Sequence, residues 1–136
     1  MWKLSANQWA APTSRTSPTA ETKKVRLVSE TKPNAIVDSG ATKLVLPEAL
    51  VKELGLPRGD KIKVRYADGR TAQRRGAEGV YVELLGRHGT FTAVVEPNRD
   101  TALLGAIVLE DLDLLVDCPN ERVVPRDPHV VVHEIE

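Results

Sequence analysis

Apolar and polar residues alternate along much of this chain, a period of two that is typical of β-strands. Within residues 61–66, for example, Ile62, Val64 and Tyr66 alternate with charged residues and therefore share one face of a strand. Further strands are predicted at residues 25–28, 35–37, 80–84, 90–95, 114–117 and 122–124. The pattern as a whole predicts a mainly β domain.

Two short segments depart from this period and are interpreted as helices. Pro47 is suited to the first turn of a helix, and the helix formers of residues 48–54 follow it, with a natural stop at Gly55. Leu50 and Leu54 are four residues apart, so both would face the core. Residues 106–111 are interpreted as the second helix.

Glycine-containing turns separate the predicted strands. Asp68 and Gly69 form a pair typical of a tight hairpin, and residues 86–89 indicate a second turn. Gly76 and Gly79 interrupt the long strand between these turns and indicate a bulge or a bend.

Composition divides the chain into three parts. Residues 1–23 are rich in Ser, Thr, Ala and Pro and are predicted to form a disordered leader. Residues 24–126 contain the predicted strands and helices and would form one domain. Residues 127–136 are predicted to be a C-terminal strand or tail.

Charge and cysteine content argue against several kinds of partner. Lys plus Arg and Asp plus Glu both number 19, which argues against a nucleic acid or a membrane surface as the partner. The single cysteine, Cys118, cannot form an internal disulfide, so we expect a reducing, cytoplasmic location. No apolar run approaches the roughly 18 residues of a membrane-spanning helix, and no secretion signal is visible at the start.

The clearest chemical signal lies in residues 36–42, which read IVDSGAT. Asp38 ends an apolar strand that would partly desolvate its carboxylate. The hydroxyl of Ser39 can fix the loop by hydrogen bonding, and Gly40 permits a tight turn. Asp-Ser-Gly also occurs by chance in turns and helix caps, so it indicates catalysis only in a suitable context.

The context resembles the retropepsin-like aspartic proteases of the bacterial type. Asp-Ser-Gly-Ala-Thr follows an apolar run, an Ala-Asp-Gly-Arg hairpin tip comes about 30 residues later, and a Leu-Leu-Gly about 35 residues beyond it. The closing hairpin of residues 114–125 matches as well. The resemblance covers roughly residues 24–125 and implies a closed-barrel-like fold with two short helices, one lobe per chain, in a homodimer.

The resemblance also implies a role for each matching residue. Asp38 would be the catalytic aspartate, Ser39 would bond across to the other subunit, and Gly40 would direct its N–H toward the carboxylate. The residues implied to bind substrate, in the cleft, in the flap above it or behind the loop, are Ala41, Thr42, Tyr66, Ala67, Asp68, Gly69, Arg70, Leu104 and Gly105. The chain departs from retroviral enzymes at Ala106, where they carry arginine or a similar polar residue, and in its charged, less glycine-rich flap tip.

Aspartic proteases need two carboxylates, and this sequence has a single Asp-Ser-Gly. Asp100 is followed by Thr-Ala and lacks both the glycine and an apolar strand before it, so we expect the second acid from a second chain on a twofold axis. Retropepsin dimers are held by their chain termini, which predicts residues 127–136 at the interface. The expected activity is hydrolysis of extended polypeptide segments without a metal or organic cofactor.

Other interpretations of these residues stay open. The chain could be a catalytically silent, protease-like module that dimerises or binds peptides, or an unrelated small β-barrel. His129 and His133 lie in a valine-rich run that favours a strand, which would separate them, so no metal site is predicted. Arg70, Arg74 and Arg75 are interpreted as a solvated strand face.

Overall fold

The structure is a computed structural model that describes residues 2–5, 23–27, 33–120 and 122–135, with side chains from residue 35 onward. The strands of this part of the chain are β1 (Trp2–Ser5), β2 (Lys23–Leu27), β3 (Pro33–Val37), β4 (Leu44–Pro47), β5 (Arg58–Arg65), β6 (Thr71–Leu84), β7 (Arg87–Glu96), β8 (Ala102–Leu104), β9 (Leu114–Asp117) and β10 (Arg122–Pro125). The helices are α1 (Glu48–Leu54) and α2 (Ala106–Asp111). The predicted mainly β class and both predicted helices are confirmed.

Eight strands form one sheet in the order β1-β3-β8-β4-β7-β6-β2, with β5 beside β6, and β9 pairs with β10 in a separate hairpin. The 14-residue strand β6 pairs with three others, namely β2, β5 and β7. Because β7 occupies one edge of β6, β5 and β2 follow each other along the opposite edge. The described strands therefore branch at β6, and the expected closed barrel is not found in this part of the chain.

The core is built from the inward faces of the strands and one face of each helix. Leu50 and Leu54 of α1 and Val108 and Leu109 of α2 are buried, so the four-residue spacing in α1 faces the core as predicted. Gly55 ends α1 with a φ of 64°, the left-handed conformation that glycine adopts at helix C-termini. Completely buried strand residues include Leu44, Leu46, Val80, Val82, Leu84 and Leu104.

The turn between β6 and β7 begins earlier than the sequence suggested. Leu85 and Gly86 connect the strands with φ values of 54° and 77°. Positive φ at both central residues is the geometry of a two-residue type I′ hairpin, which leaves Arg87 as the first residue of β7. The turn predicted at residues 86–89 is misplaced because leucine gives no left-handed signal. The predicted bulge is confirmed at Gly79, where φ is 64° and the register of β6 on β7 shifts.

The start of the chain forms a strand where a disordered leader was predicted. Trp2–Ser5 pair antiparallel with β3, with Trp2 opposite Val37. Since β8 pairs with the other edge of β3, both edges of this strand are covered. Four residues of the predicted leader thus pair with the sheet, and residues 6–22 lie outside the described part of the chain.

The C-terminal segment, predicted to be a strand or a tail, follows the body without forming a strand over its described residues 127–135. Arg87 donates hydrogen bonds from its guanidinium to the carbonyl oxygens of Leu112, Asp113, Asp127 and Val130. Oδ2 of the buried Asp113 accepts a hydrogen bond from the N–H of Val132 (3.0 Å). Arg126 Nε lies 3.0 Å from Asp113 Oδ1 as an ion pair without an aligned hydrogen bond. Side chains of the body thus hold this segment in place.

The loop after β3 is fixed to the start of α2 by backbone hydrogen bonds. β3 and β8 are parallel neighbours, so both strands end at the same edge of the sheet. There the N–H of Ala106 donates to the carbonyl of Ala41 (2.7 Å). The N–H of Ile107 likewise donates to the carbonyl of Thr42 (3.0 Å). Gly105 lies so close that a Cβ atom on it would fall 2.4 Å from the carbonyl oxygen of Lys43.

Gly105→Ala is expected to lower the free energy of unfolding by roughly 2–3 kcal/mol, because the added methyl group would overlap hydrogen-bonded backbone. Urea unfolding followed by circular dichroism measures this loss. Gly55→Ala is the matched control, since its φ of 64° strains alanine but no atom lies within 4 Å of the added Cβ; we expect a cost of about 1 kcal/mol. Equal losses in the two variants would contradict a tight contact at Gly105.

Candidate active site

Asp38 is the first residue after β3 and lies in a loop that the chain orders by itself. The N–H of Asp38 donates to the carbonyl of Leu104 (3.0 Å), which extends the pairing of β3 with β8 by one residue. The carbonyl of Asp38 accepts a hydrogen bond from the N–H of Ala41 (3.1 Å) and closes a tight turn. Its carboxylate Oδ1 accepts a hydrogen bond from the N–H of Gly40 (2.9 Å). The half-buried carboxylate is therefore oriented by a backbone donor two residues away.

The residues beside Asp38 leave its carboxylate accessible. Ser39, Gly40 and Thr42 are exposed in the single protomer, and Ala41 is half-buried. A Cβ atom at position 40 would lie 3.1 Å from Asp38 Oδ1, so glycine keeps this approach open. The Ser39 residue is thus accessible to a second protomer.

Leu104 and Gly105 support this loop from the side of the core. Leu104 has no solvent-exposed surface, and Gly105 is buried against the backbone of residues 41–43. In this chain the buried Leu104 therefore supports the loop from the core, and the substrate contact implied for it by the family resemblance stays a prediction.

The predicted flap residues lie on a separate hairpin that joins β5 to β6. The N–H of Tyr66 donates to the carbonyl of Arg70 (2.8 Å), and the N–H of Gly69 donates to the carbonyl of Tyr66 (2.9 Å). Gly69 has a φ of 89°, which explains why glycine stands at this turn. Ala67, Asp68 and Arg70 are exposed at the tip.

The two charges at the tip pair with each other. The Asp68 carboxylate accepts hydrogen bonds from the backbone N–H of Arg70 (2.9 Å) and from its Nε (2.6 Å). The backbone bond, followed by the guanidinium bond, lowers the pKa of Asp68 below its ordinary value. This pairing stiffens the tip locally but lies within the hairpin.

A second group of polar side chains joins the hairpin to the end of β7. The Tyr66 hydroxyl donates to Glu96 Oε1 (2.6 Å). Arg74 Nε lies 2.9 Å from the same oxygen and 3.0 Å from the Tyr66 hydroxyl. The hydrogen bond to Glu96 is the main cause that raises the pKa of Tyr66 and also that of Arg74.

Sequence reasoning missed this group. Arg74 was interpreted as part of a solvated strand face, which is wrong because it is half-buried and paired with Glu96. No prediction was made for Glu96. The contact between Arg74 and Glu96 could be predicted only from the register of β6 on β7. Gly76 lies opposite Val94, and two further residues along each strand bring Arg74 opposite Glu96.

Two further features of the described residues concern metal binding and membrane-spanning helices. No group of three or more His, Cys, Asp or Glu side chains there could hold a metal ion. Within the same residues, no helix has the length and apolar character needed to cross a membrane.

Comparison with known proteins gives the family. Among curated protein sequences, none matches this chain. The solved structure of EIAV protease complexed with the inhibitor HBY-793 is 26% identical over 57% of this chain and 74% of that chain, with a TM-score of 0.46. Residues 25–111 match the family described as "gag-polyprotein putative aspartyl protease", a span that contains Asp38, the 66–70 hairpin and Gly105. The chain therefore belongs to the retropepsin-like family of aspartic proteases.

Proposed function

We propose that this chain is an aspartic endopeptidase that hydrolyses extended polypeptide segments as a homodimer, with one Asp38 from each protomer in the catalytic pair. The observation that carries the proposal is the ordered Asp38 loop, in which the carboxylate is oriented by Gly40 and the backbone is bonded to β8 and α2. A group that is held in place before substrate arrives supports catalysis by positioning.

The second carboxylate comes from the partner subunit. Asp100 is the other candidate in the chain, but it is exposed in the turn before β8 and has no glycine after Thr101 to build a matching loop. A twofold axis passing beside Asp38 makes both copies of the loop equivalent. The exposed Ser39 then reaches across this axis to the partner and supports the paired loops from below.

The chemistry follows from two carboxylates close together. At a separation of about 3 Å both cannot ionise readily, so the pair shares a proton and titrates as a unit. The ionised acid takes a proton from a water molecule while the water oxygen attacks the peptide carbonyl carbon. The protonated acid gives its proton to the carbonyl oxygen. The C–N bond of the resulting tetrahedral intermediate then breaks as the first acid gives the proton taken from water to the nitrogen, and a hydroxyl of the intermediate returns a proton to the second acid.

The substrate is a peptide in extended form, lying between the Asp38 loop and the flap. Ala41 and Thr42 line the floor of the cleft next to the acid. The hairpin tip, whose residues 67–70 are exposed, covers the peptide and offers backbone groups for strand-like hydrogen bonds. Gly105 contributes indirectly, since it allows α2 to hold the loop.

Asp38→Asn is expected to abolish cleavage of an unbiased peptide mixture, with products identified by mass spectrometry between acidic and neutral pH. The amide cannot act as the general base, so we expect a loss of at least about 1,000-fold. Asp100→Asn is the matched control, because it makes the same chemical change at the other Asp-Thr/Ser site, and it should keep wild-type activity. Wild-type protein that is dimeric but cleaves nothing at any pH would favour the silent peptide-binding module.

Dimer formation is expected to depend on the C-terminal tail. Val130, Val131, Val132 and Ile135 are exposed apolar residues on it, and Ile135 is 91% exposed in the single protomer. Replacing Val130 and Val131 by serine should weaken the dimer about tenfold or more in sedimentation experiments, because apolar area at the interface is lost. Leu85→Asn removes an exposed apolar side chain elsewhere and should leave the dimer unchanged. Equal dissociation constants for both variants would exclude the tail from the interface.

A further inference from the structure

Three side chains join the flap hairpin, here residues 58–75, to the body of the domain. Tyr66, Arg74 and Glu96, the flap cluster, are mutually within 3.0 Å through the Tyr66 hydroxyl, Arg74 Nε and Glu96 Oε1. We propose that the flap cluster fixes the resting position of the flap hairpin and thereby sets how tightly substrate is bound. The inference rests on the proposed function, since a flap acts on substrate only if a peptide binds beneath it.

The position of the cluster in the topology is the first argument. Tyr66 begins the turn at the tip, and Arg74 lies on the returning strand, so both sides of the hairpin contribute one member. Glu96 is the last residue of β7, and it pairs with Pro47 of β4 in the sheet that also contains β3. A single carboxylate therefore ties both sides of the hairpin to the end of β7 beside β4.

The pairing of β6 explains why this connection matters. β7 accompanies β6 only from Leu84 to Gly76, where the last pair is formed with Val94. Beyond Gly76, towards the tip, the described part of β6 pairs with β5 alone. A two-stranded hairpin is marginally stable by itself, so side-chain contacts to the body decide its position.

The environment of the cluster makes its bonds effective. The side chains of Arg74 and Glu96 are 28% and 17% exposed, so their ion pair is partly shielded from water. One carboxylate oxygen accepts from both donors, and the guanidinium of Arg74 also lies 5.9 Å from the centre of the Tyr66 ring. Charge-assisted hydrogen bonds of this kind are stronger than neutral ones.

The expected role is positional and not chemical. A flap held near its bound position loses little freedom when a peptide arrives, whereas a loosened flap must be ordered at the expense of affinity. Loss of the cluster should therefore raise KM and leave kcat nearly unchanged, because the Asp38 loop is bonded to β8 and α2 independently of the hairpin.

The test is hydrogen–deuterium exchange of the full-length dimer, which requires no turnover. Glu96→Gln keeps the shape of the side chain but removes its charge, and amides of residues 61–75 should exchange about tenfold faster, the effect of losing one charge-assisted hydrogen bond. Tyr66→Phe leaves the Arg74–Glu96 pair intact and should give a smaller increase. Amides of residues 80–84 should be unaffected in both variants.

Asp117→Asn is the matched control, because Asp117 also accepts a hydrogen bond from an arginine Nε, that of Arg122 at 3.0 Å, but in the separate β9–β10 hairpin. Its flap amides should exchange at the wild-type rate. Wild-type exchange in Glu96→Gln and Tyr66→Phe, or equal acceleration in Asp117→Asn, would overturn the proposal whether or not the protein cleaves peptides.

Peptide cleavage by the same variants supplies the second measurement. For Glu96→Gln we expect KM to rise about threefold or more with kcat within about twofold of wild type. A fall in kcat at unchanged KM would assign the cluster to the chemical step and overturn a positioning role. Absence of cleavage by the wild type counts against the proposed function alone, and the exchange result then decides the inference by itself.

Discussion

The backbone hydrogen bonds between residues 38–42 and the first turn of α2 are the interaction on which the rest of the site depends. They exist because β3 and β8 end side by side and because Gly105 lets two backbones approach closely. With this contact in place, the turn at Asp38 closes and Gly40 directs its N–H to the carboxylate. Since this order arises within one chain, the partner in the proposed dimer would supply the second acid without having to build the loop.

Much of this arrangement could be predicted from the sequence because its parts are neighbours along the chain. The carboxylate of Asp38 and its donor at Gly40 are two residues apart. The stop of α1 at Gly55 and the hairpin at Gly69 each depend on the conformational freedom of one glycine. The alternation of apolar and charged residues along residues 61–66 likewise indicates which face of the strand is inward, and this inference does not require the partner strand to be known.

The features that escaped prediction are contacts between distant residues. Glu96 is 22 residues from Arg74 and 30 from Tyr66, and an acid before a proline turn carries no signal until strand register is known. The valines near the C-terminus have strand-forming composition, yet a strand also needs an open edge, and here the Arg87 guanidinium binds a carbonyl of the tail instead. Burial of Leu104 follows from the position of β8 inside the sheet, which local sequence does not reveal.

A single Asp38 loop per chain has a consequence for inheritance. In the proposed dimer every change at residue 38 is present twice, and a cell that makes equal amounts of normal and altered chains assembles hybrids. Random pairing leaves about a quarter of the molecules with both aspartates, so one defective gene copy removes more activity than its share of protein. An altered Glu96 behaves differently, because each flap carries its own cluster and a hybrid retains one intact. A change in the loop should therefore inactivate hybrid dimers, whereas a change in the flap cluster should leave them partly active.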